Sequence, residues 1–201
     1  MEGKRNYTVP ILLVIVTVMA ILLVLAYSKL LLTQQQQAVE EGRRLADQYE
    51  QAVILANRLH DGADALLQGA VADRVQAAWL IGEADGVKKE ALKLFEGATA
   101  IADTPSSEDT AEQLQAAMDA LFAESDSALH RMAEQTEPLS ADQTALLQAV
   151  RDGAASMNES LGRFRLPTVD SGYRSMAAGA DWVEPARQAS HVLIGIAAQL
   201  K

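Results

Sequence analysis

From Val9 to Ser28 the chain reads VPILLVIVTVMAILLVLAYS, twenty residues with no charge and apolar on every helical face. At about 1.5 Å per residue, a helix of that length covers roughly 30 Å, the thickness of a bilayer core. Its polar exceptions cost little. Thr17 and Ser28 can donate to carbonyls of their own helix, and Pro10 falls in the first turn, where no N–H is needed. Tyr7 and Tyr27 bracket the run at headgroup depth, and Lys29 can snorkel from its far end. The pattern predicts a short tail at 1–8 and a transmembrane anchor over 9–32. Lys4, Arg5 and the amino terminus outweigh Glu2, so the positive-inside rule places the N-terminus in the cytoplasm and residues 33–201 outside. The expected localisation is the cell membrane, in a single pass. A cleaved signal peptide is the rival, with Ala26-Tyr27-Ser28 as a loose cleavage site, although the apolar run is longer than such peptides carry.

Past residue 33 the apolar positions recur in alternating steps of four and three. Leu45, Tyr49, Ala52, Ala56 and Leu59 make one seam, widened by Ala46, Val53 and His60. Leu66, Ala70, Ala77, Leu80, Ala84, Val87, Ala91, Leu94, Ala98 and Ile101 carry the same phase onward, with Ile81 and Phe95 on the flank. Two glycine clusters interrupt the composition without interrupting the phase. In His60-Asp61-Gly62-Ala63-Asp64, Gly62 can end a helix and Asp64 can cap the next. Gly82-Glu83-Ala84-Asp85-Gly86 is the second. A turn near Gly62 is expected, because it makes every helix about 30 residues long, as a bundle requires. The alternative is one very long helix from membrane into ectodomain, with three shorter helices packed on it. Its uncovered seam would then call for a second copy of the chain.

Asp103-Thr104-Pro105-Ser106-Ser107 predicts the clearest break. A helix over 107–135 follows, with Leu114, Met118, Leu121, Phe122, Leu129 and Met132 inward. Thr136 to Ser140 ends it. Ser140 and Gln143 form a capping box that opens a helix over 141–165, with Leu147, Val150, Ala154, Met157, Leu161 and Phe164 inward. After Leu166-Pro167-Thr168, a last stretch over 169–200 turns Val183, Ala186, Leu193, Ala197 and Leu200 inward, and Pro185 should kink or split it. No segment alternates as a strand does. The expected fold is all-α: a transmembrane helix followed by an extracytoplasmic antiparallel bundle of four to five helices over 33–201.

Charge narrows the partners. Past Thr33 there are 14 Lys and Arg against 26 Asp and Glu, a net charge near −12. That excludes nucleic acid and docking on an anionic membrane surface. The chain has no Cys, so thiolate chemistry and Cys-ligated metals are excluded. His60 with Asp64, and His130 with Glu134, stand at helical spacing, but neither a Glu-x-x-His nor a His-Glu-x-x-His motif is present, and no metal or other cofactor is expected. Asn158-Glu159-Ser160 matches a glycosylation acceptor but falls in a helical pattern. No nucleophile–base pair or Gly-rich phosphate loop is legible, so no enzymatic activity is expected. The concentrated positive charge lies at Arg163, Arg165 and Arg174, around the connection to Tyr173. Those four residues are the candidate anion-binding site, since Arg suits planar recognition of carboxylates. Trp79 and Trp182 adjoin seam residues and are expected at the core edge; an exposed Trp would mark a partner surface.

In layout alone, one span followed by an extracytoplasmic helical bundle, residues 9–201 resemble the sensor half of bacterial chemoreceptors and histidine kinases. No diagnostic motif carries the resemblance, and the second span and cytoplasmic output module of those proteins are not expected here. The expected function is a non-catalytic protein-interaction or scaffolding role, with a protein partner or a homodimer. The alternative is a sensor-like domain for a small ligand, an anion among them, without its own output module.

Overall fold

The computed structural model describes residues 8–101, 111–122, 127–179 and 181–200. Among these the chain forms seven helices and no strand: α1 (Thr8–Gln68), α2 (Val71–Ile101), α3 (Ala111–Phe122), α4 (Ala128–Glu134), α5 (Ala141–Leu161), α6 (Asp170–Ala177) and α7 (Val183–Ala198). The expected break at Asp103-Thr104-Pro105-Ser106-Ser107 lies outside the described residues.

Helix α1 runs without interruption for 61 residues, about 90 Å at 1.5 Å per residue. Leu12 to Gln37 are exposed throughout, and burial begins at Val39. Thr17 and Thr33 donate to the carbonyls of Leu13 and Lys29 at 2.8 and 3.0 Å, so both hydroxyls are satisfied within the helix. Among the described helices, α1 is the one long and apolar enough to cross a membrane.

The chain does turn back on itself, but not at Gly62. Gly62 lies inside α1 and is buried; a Cβ there would meet Ile81 Cγ1 at 3.2 Å. It is a close-approach glycine, not a turn glycine. The reversal comes one heptad later at Gly69, whose φ of 79° suits a residue without Cβ. The later turn lets Ala63, Ala65 and Leu66 pack inside the hairpin at 7% exposure or less. Helix α2 then runs back antiparallel to α1. Gln48 meets Glu90 at 3.3 Å, and Arg58 meets Glu83 at 2.7 Å. These crossings are centred on Gly69 and Ala70, which explains the unbroken heptad phase. Ala70 is itself a seam position, so folding there brings Ala63 level with Ala77 and Ala56 level with Ala84. All four are at most 1% exposed. An alanine buries about one methyl group's worth of surface, so this seam supplies close approach. The hydrophobic mass comes from larger neighbours such as Tyr49, Leu55, Ile81 and Phe95, each at most 1% exposed.

Helix α5 packs antiparallel to α1: Arg151 lies 3.8 Å from Asp64, Asn158 donates to Asn57 at 2.8 Å, and Tyr49 Oη donates to the Leu161 carbonyl at 2.7 Å. The bond between Asn158 and Asn57 occupies the side chain of the glycosylation match. Helix α7 packs antiparallel to α5, so closely at Gly153 that a Cβ there would fall 2.5 Å from Ile196 Cγ1. Helix α3 packs on α2 and α7, and α4 packs on α2 and α3. The capping box at Ser140 and Gln143 forms as expected and opens α5.

Three boundaries differ from expectation. The stretch predicted as one helix over 107–135 contains α3 and a separate α4, which Ser127 opens by accepting from the His130 N–H at 3.2 Å. Helix α5 stops at Leu161, where Arg163 and Phe164 bond back three residues to Ser160 and Leu161 and tighten the chain. The last stretch splits at Gly179 and Asp181, both at positive φ, and not at Pro185. Pro185 sits in the first turn of α7, where its missing N–H has no helical partner to lose.

The two tryptophans part company. Trp182 is fully buried against Gly97 and donates from Nε1 to the Met176 carbonyl at 2.8 Å. Trp79 is 60% exposed, against the expectation of a core-edge position.

Candidate functional site

Two surfaces combine shape with chemistry. One lies near the point where the bundle meets the exposed apolar part of α1. Gly42 has no side chain, and a Cβ there would overlap the Tyr173 carbonyl oxygen at 1.9 Å, so only glycine lets α6 lie this close to α1. The approach places Arg43 over the Tyr173 ring, 5.5 Å from its centroid, and within 2.9 Å of Asp170 Oδ1. Arg43 and Arg174 line a groove of about 420 Å³ together with Gln35, Gln36, Glu40 and Asp170.

Of the four residues expected to bind an anion, two come to this place. Tyr173 packs under Arg43, and Arg174 lines the groove. Arg163 points to α7, where it donates to Gln188 at 3.0 Å, and it also contacts Glu159. Arg165 is exposed and is not part of the groove lining. Sequence reasoning missed Arg43, which lies 127 residues from Asp170 along the chain. Position 43 falls off the heptad seam, and no local spacing links it to α6. Asp170 already neutralises much of the Arg43 charge, and both side chains are more than half exposed. An exposed pair of that kind contributes only about 0–1 kcal/mol.

The second surface lies at the opposite end of the bundle, beside the Gly69 turn. Helix α2 leaves Val71, Val75 and Trp79 at 80%, 68% and 60% exposure, successive residues on one helical face. Val71, Val75 and Ala78 form one wall of a groove of about 300 Å³, closed on the other side by Ala133 and Glu134. Its rim is braced. Arg74 donates to the carbonyls of Gln135 and Glu137, the latter at 3.0 Å, and so ties α2 to the connection between α4 and α5. Gln135 and Gln143 exchange amide bonds at 3.0 and 3.3 Å across the same connection. The Arg58 guanidinium stands 5.8 Å from the Trp79 ring centroid and pairs with Glu83, which fixes one side of the indole.

The histidines flanked by carboxylates are engaged locally. His60 Nδ1 lies 3.2 Å from Asp61, and His130 Nδ1 lies 3.1 Å from Ser127 Oγ. Among the described residues no group of three His, Asp or Glu is placed to hold a metal ion. Burial in the core holds the Tyr49 phenol well above its ordinary pKa. Glu184 is lowered by its hydrogen bonds from Gln188 and Arg187, and Glu90 by those from Lys93 and Gln48. Each has a structural cause of this kind. Comparison with protein-family models, with curated proteins and with solved structures finds no match.

Proposed function

We propose that this protein is a single-pass membrane anchor carrying an extracytoplasmic helical bundle that binds a protein partner without catalysis. The observation that carries the reading is the exposed apolar stripe Val71, Val75 and Trp79 at the end of the bundle farthest from the apolar run. Exposed aromatic and branched side chains on a rigid helix are the usual anchors of a protein interface. The unbroken helix α1 supports the reading mechanically. With 9–32 in the bilayer, the stripe stands roughly 50 Å above the membrane at 1.5 Å per residue, on a stalk with no hinge in it. The N-terminus then lies in the cytoplasm by the charge of the tail, and residues 33–201 lie outside.

A binding site for a small anion is the second reading, favoured by the groove between Arg43 and Arg174. It ranks below the first because Asp170 already occupies Arg43. Protease added to intact cells tests the topology: degradation of the ectodomain is expected, and protection would contradict it. Crosslinking in intact membranes followed by pull-down tests the role. A recurrent protein partner is expected, lost on Val75→Asp but kept on Arg174→Ala. Loss with Arg174→Ala alone would favour the groove.

A further inference from the structure

The outward face of α2 is more than three apolar residues. Val75, Trp79, Gly82 and Gly86 follow one another at steps of four, three and four, with Val71 before them and Lys89 and Lys93 after them in the same rhythm. This line lies opposite the buried seam of Ala77, Ala84, Ala91 and Ala98.

Two features of the line are not explained by the chain's own packing. Glycine is the poorest helix former after proline, yet α2 holds three, of which Gly82 and Gly86 lie on this line. Neither Gly82 nor Gly86 has any atom within 4 Å of where a Cβ would stand. Gly42, Gly62 and Gly153 differ, because neighbouring elements of the same chain press against each of them. Bare backbone between Trp79 and Lys89 is a strip that a second helix can approach closely. Charge is the other feature. The most exposed positions of α2 are uncharged or basic, its acids being only partly exposed. Of its acids, Glu83, Asp85 and Glu90 pair with Arg58, Lys88 and Lys93, while the Asp85 and Glu90 side chains stay 41% and 45% exposed. Each of the other described helices exposes at least one acid. On a domain of net charge near −12, the exposed Lys89 of this face stands without a carboxylate partner among the described residues, although Glu90 beside it remains 45% exposed.

We infer that the outward face of α2 is the docking strip for an amphipathic helix of a partner protein. That helix is apolar where it meets Val71 to Gly86 and acidic where it passes Lys89 and Lys93. The inference rests on the anchored-scaffold reading. A second copy of the chain fits less well. Two copies anchored in one membrane present their α2 helices parallel, which sets Lys89 and Lys93 against their own counterparts. Lys89 has no ion-pair partner among the described residues, so its charge is available to a carboxylate.

The test uses the full chain in phospholipid nanodiscs and two labelled synthetic helical peptides. Both carry the same apolar seam; one ends in glutamates and the other in lysines. The glutamate peptide should bind and the lysine peptide should not. Gly82→Leu should weaken binding about tenfold or more by blocking close approach. Its melting temperature should not fall, since the new side chain enters open space. Lys89→Glu with Lys93→Glu should reverse the peptide preference. No binding of the glutamate peptide, or binding indifferent to Gly82→Leu, overturns the strip. In intact cells, a photo-crosslinking residue replaces Val75 or, separately, the exposed Ala155 of α5. A partner adduct from position 75 that disappears with Gly82→Leu agrees with the strip. Adducts from position 155 alone overturn it and leave the scaffold reading standing. Adducts from neither position overturn both. Adducts between two copies from position 75 overturn it in favour of a dimer.

Discussion

Tyr49 ties the end of α5 to α1 with a single side chain. It is 1% exposed, donates to the Leu161 carbonyl at 2.7 Å, and meets the Phe164 ring edge-on at 5.1 Å. Tyr49→Phe removes that hydrogen bond while the carbonyl keeps the Phe164 N–H at 3.2 Å, and the expected loss is about 1 kcal/mol by denaturant melting of the full chain in detergent. The same residue sets an alkaline limit on stability. Its folded pKa is raised by burial. Below the ordinary phenol value both states keep the proton, and stability does not depend on this group. Above about pH 10 the unfolded chain releases the proton while the folded chain keeps it, so stability falls by about 1.4 kcal/mol per pH unit. Tyr49→Phe should flatten that part of the fall when melts at about pH 8 and about pH 11 are compared; an equal fall in both proteins would show that Tyr49 is not the group responsible. Burial of Tyr49 was legible from its seam position. The exposure of Trp79 was not, because adjoining the seam residue Leu80 suggested a core edge. Neighbours on a helix point about 100° apart, so a residue beside the seam can face fully outward. Arg43 was illegible for a different reason, since its partners Asp170 and Tyr173 are brought to it only by tertiary packing at Gly42.

At the scale of elements, the helices were legible wherever the seam was long and a cap was local. The Ser140 box is such a case, and the inward faces of α3 and α5 follow the predicted seams. That of α2 does so from Ala77 to Ala98 except at half-buried Val87, while Ala70 and Ile101 at its ends are exposed. The site of the first reversal was not legible. Gly62 and Gly69 are one heptad apart and occupy the same position in the repeat, so periodicity cannot choose between them. What chooses is contact with α2: Gly62 is pressed by Ile81, while Gly69 meets nothing and turns at φ 79°. The choice has a direct consequence. Proline at 62 sits mid-helix, removes a backbone hydrogen bond and clashes with the preceding turn, so Gly62→Pro should cost about 3 kcal/mol or more. A left-handed turn at 62 would exclude proline as well, since its φ is fixed at about −65°, so Gly69→Ala tells the two turns apart. At φ 79° the new Cβ is strained, and the variant should lose about 1 kcal/mol or more. In a hairpin that turned at Gly62, position 69 would be helical and alanine would stabilise it. A Gly69→Ala variant melting higher than the parent chain would therefore return the turn to Gly62.

For the whole molecule, an all-α bundle behind an apolar N-terminal helix could be read from hydrophobic spacing, since both signals are local and long. The order in which the helices lie against one another could not. It is set by glycine contacts between distant segments, at Gly42 with α6 and at Gly153 with α7. The functional proposal depends on this arrangement, because it leaves one face of α2 uncovered and turns it outward at the end far from the exposed apolar part of α1. The absence of cysteine from the chain makes that claim directly measurable. Single cysteines are placed at Val75, on the strip, and at Ala77, which is 0% exposed. Intact cells producing each variant in excess are treated with a membrane-impermeant maleimide. The account predicts rapid labelling of Val75→Cys from outside, and labelling of Ala77→Cys only after denaturation. Labelling of Val75→Cys that begins only when the membrane is opened, or equal labelling of both variants in intact cells, would contradict it.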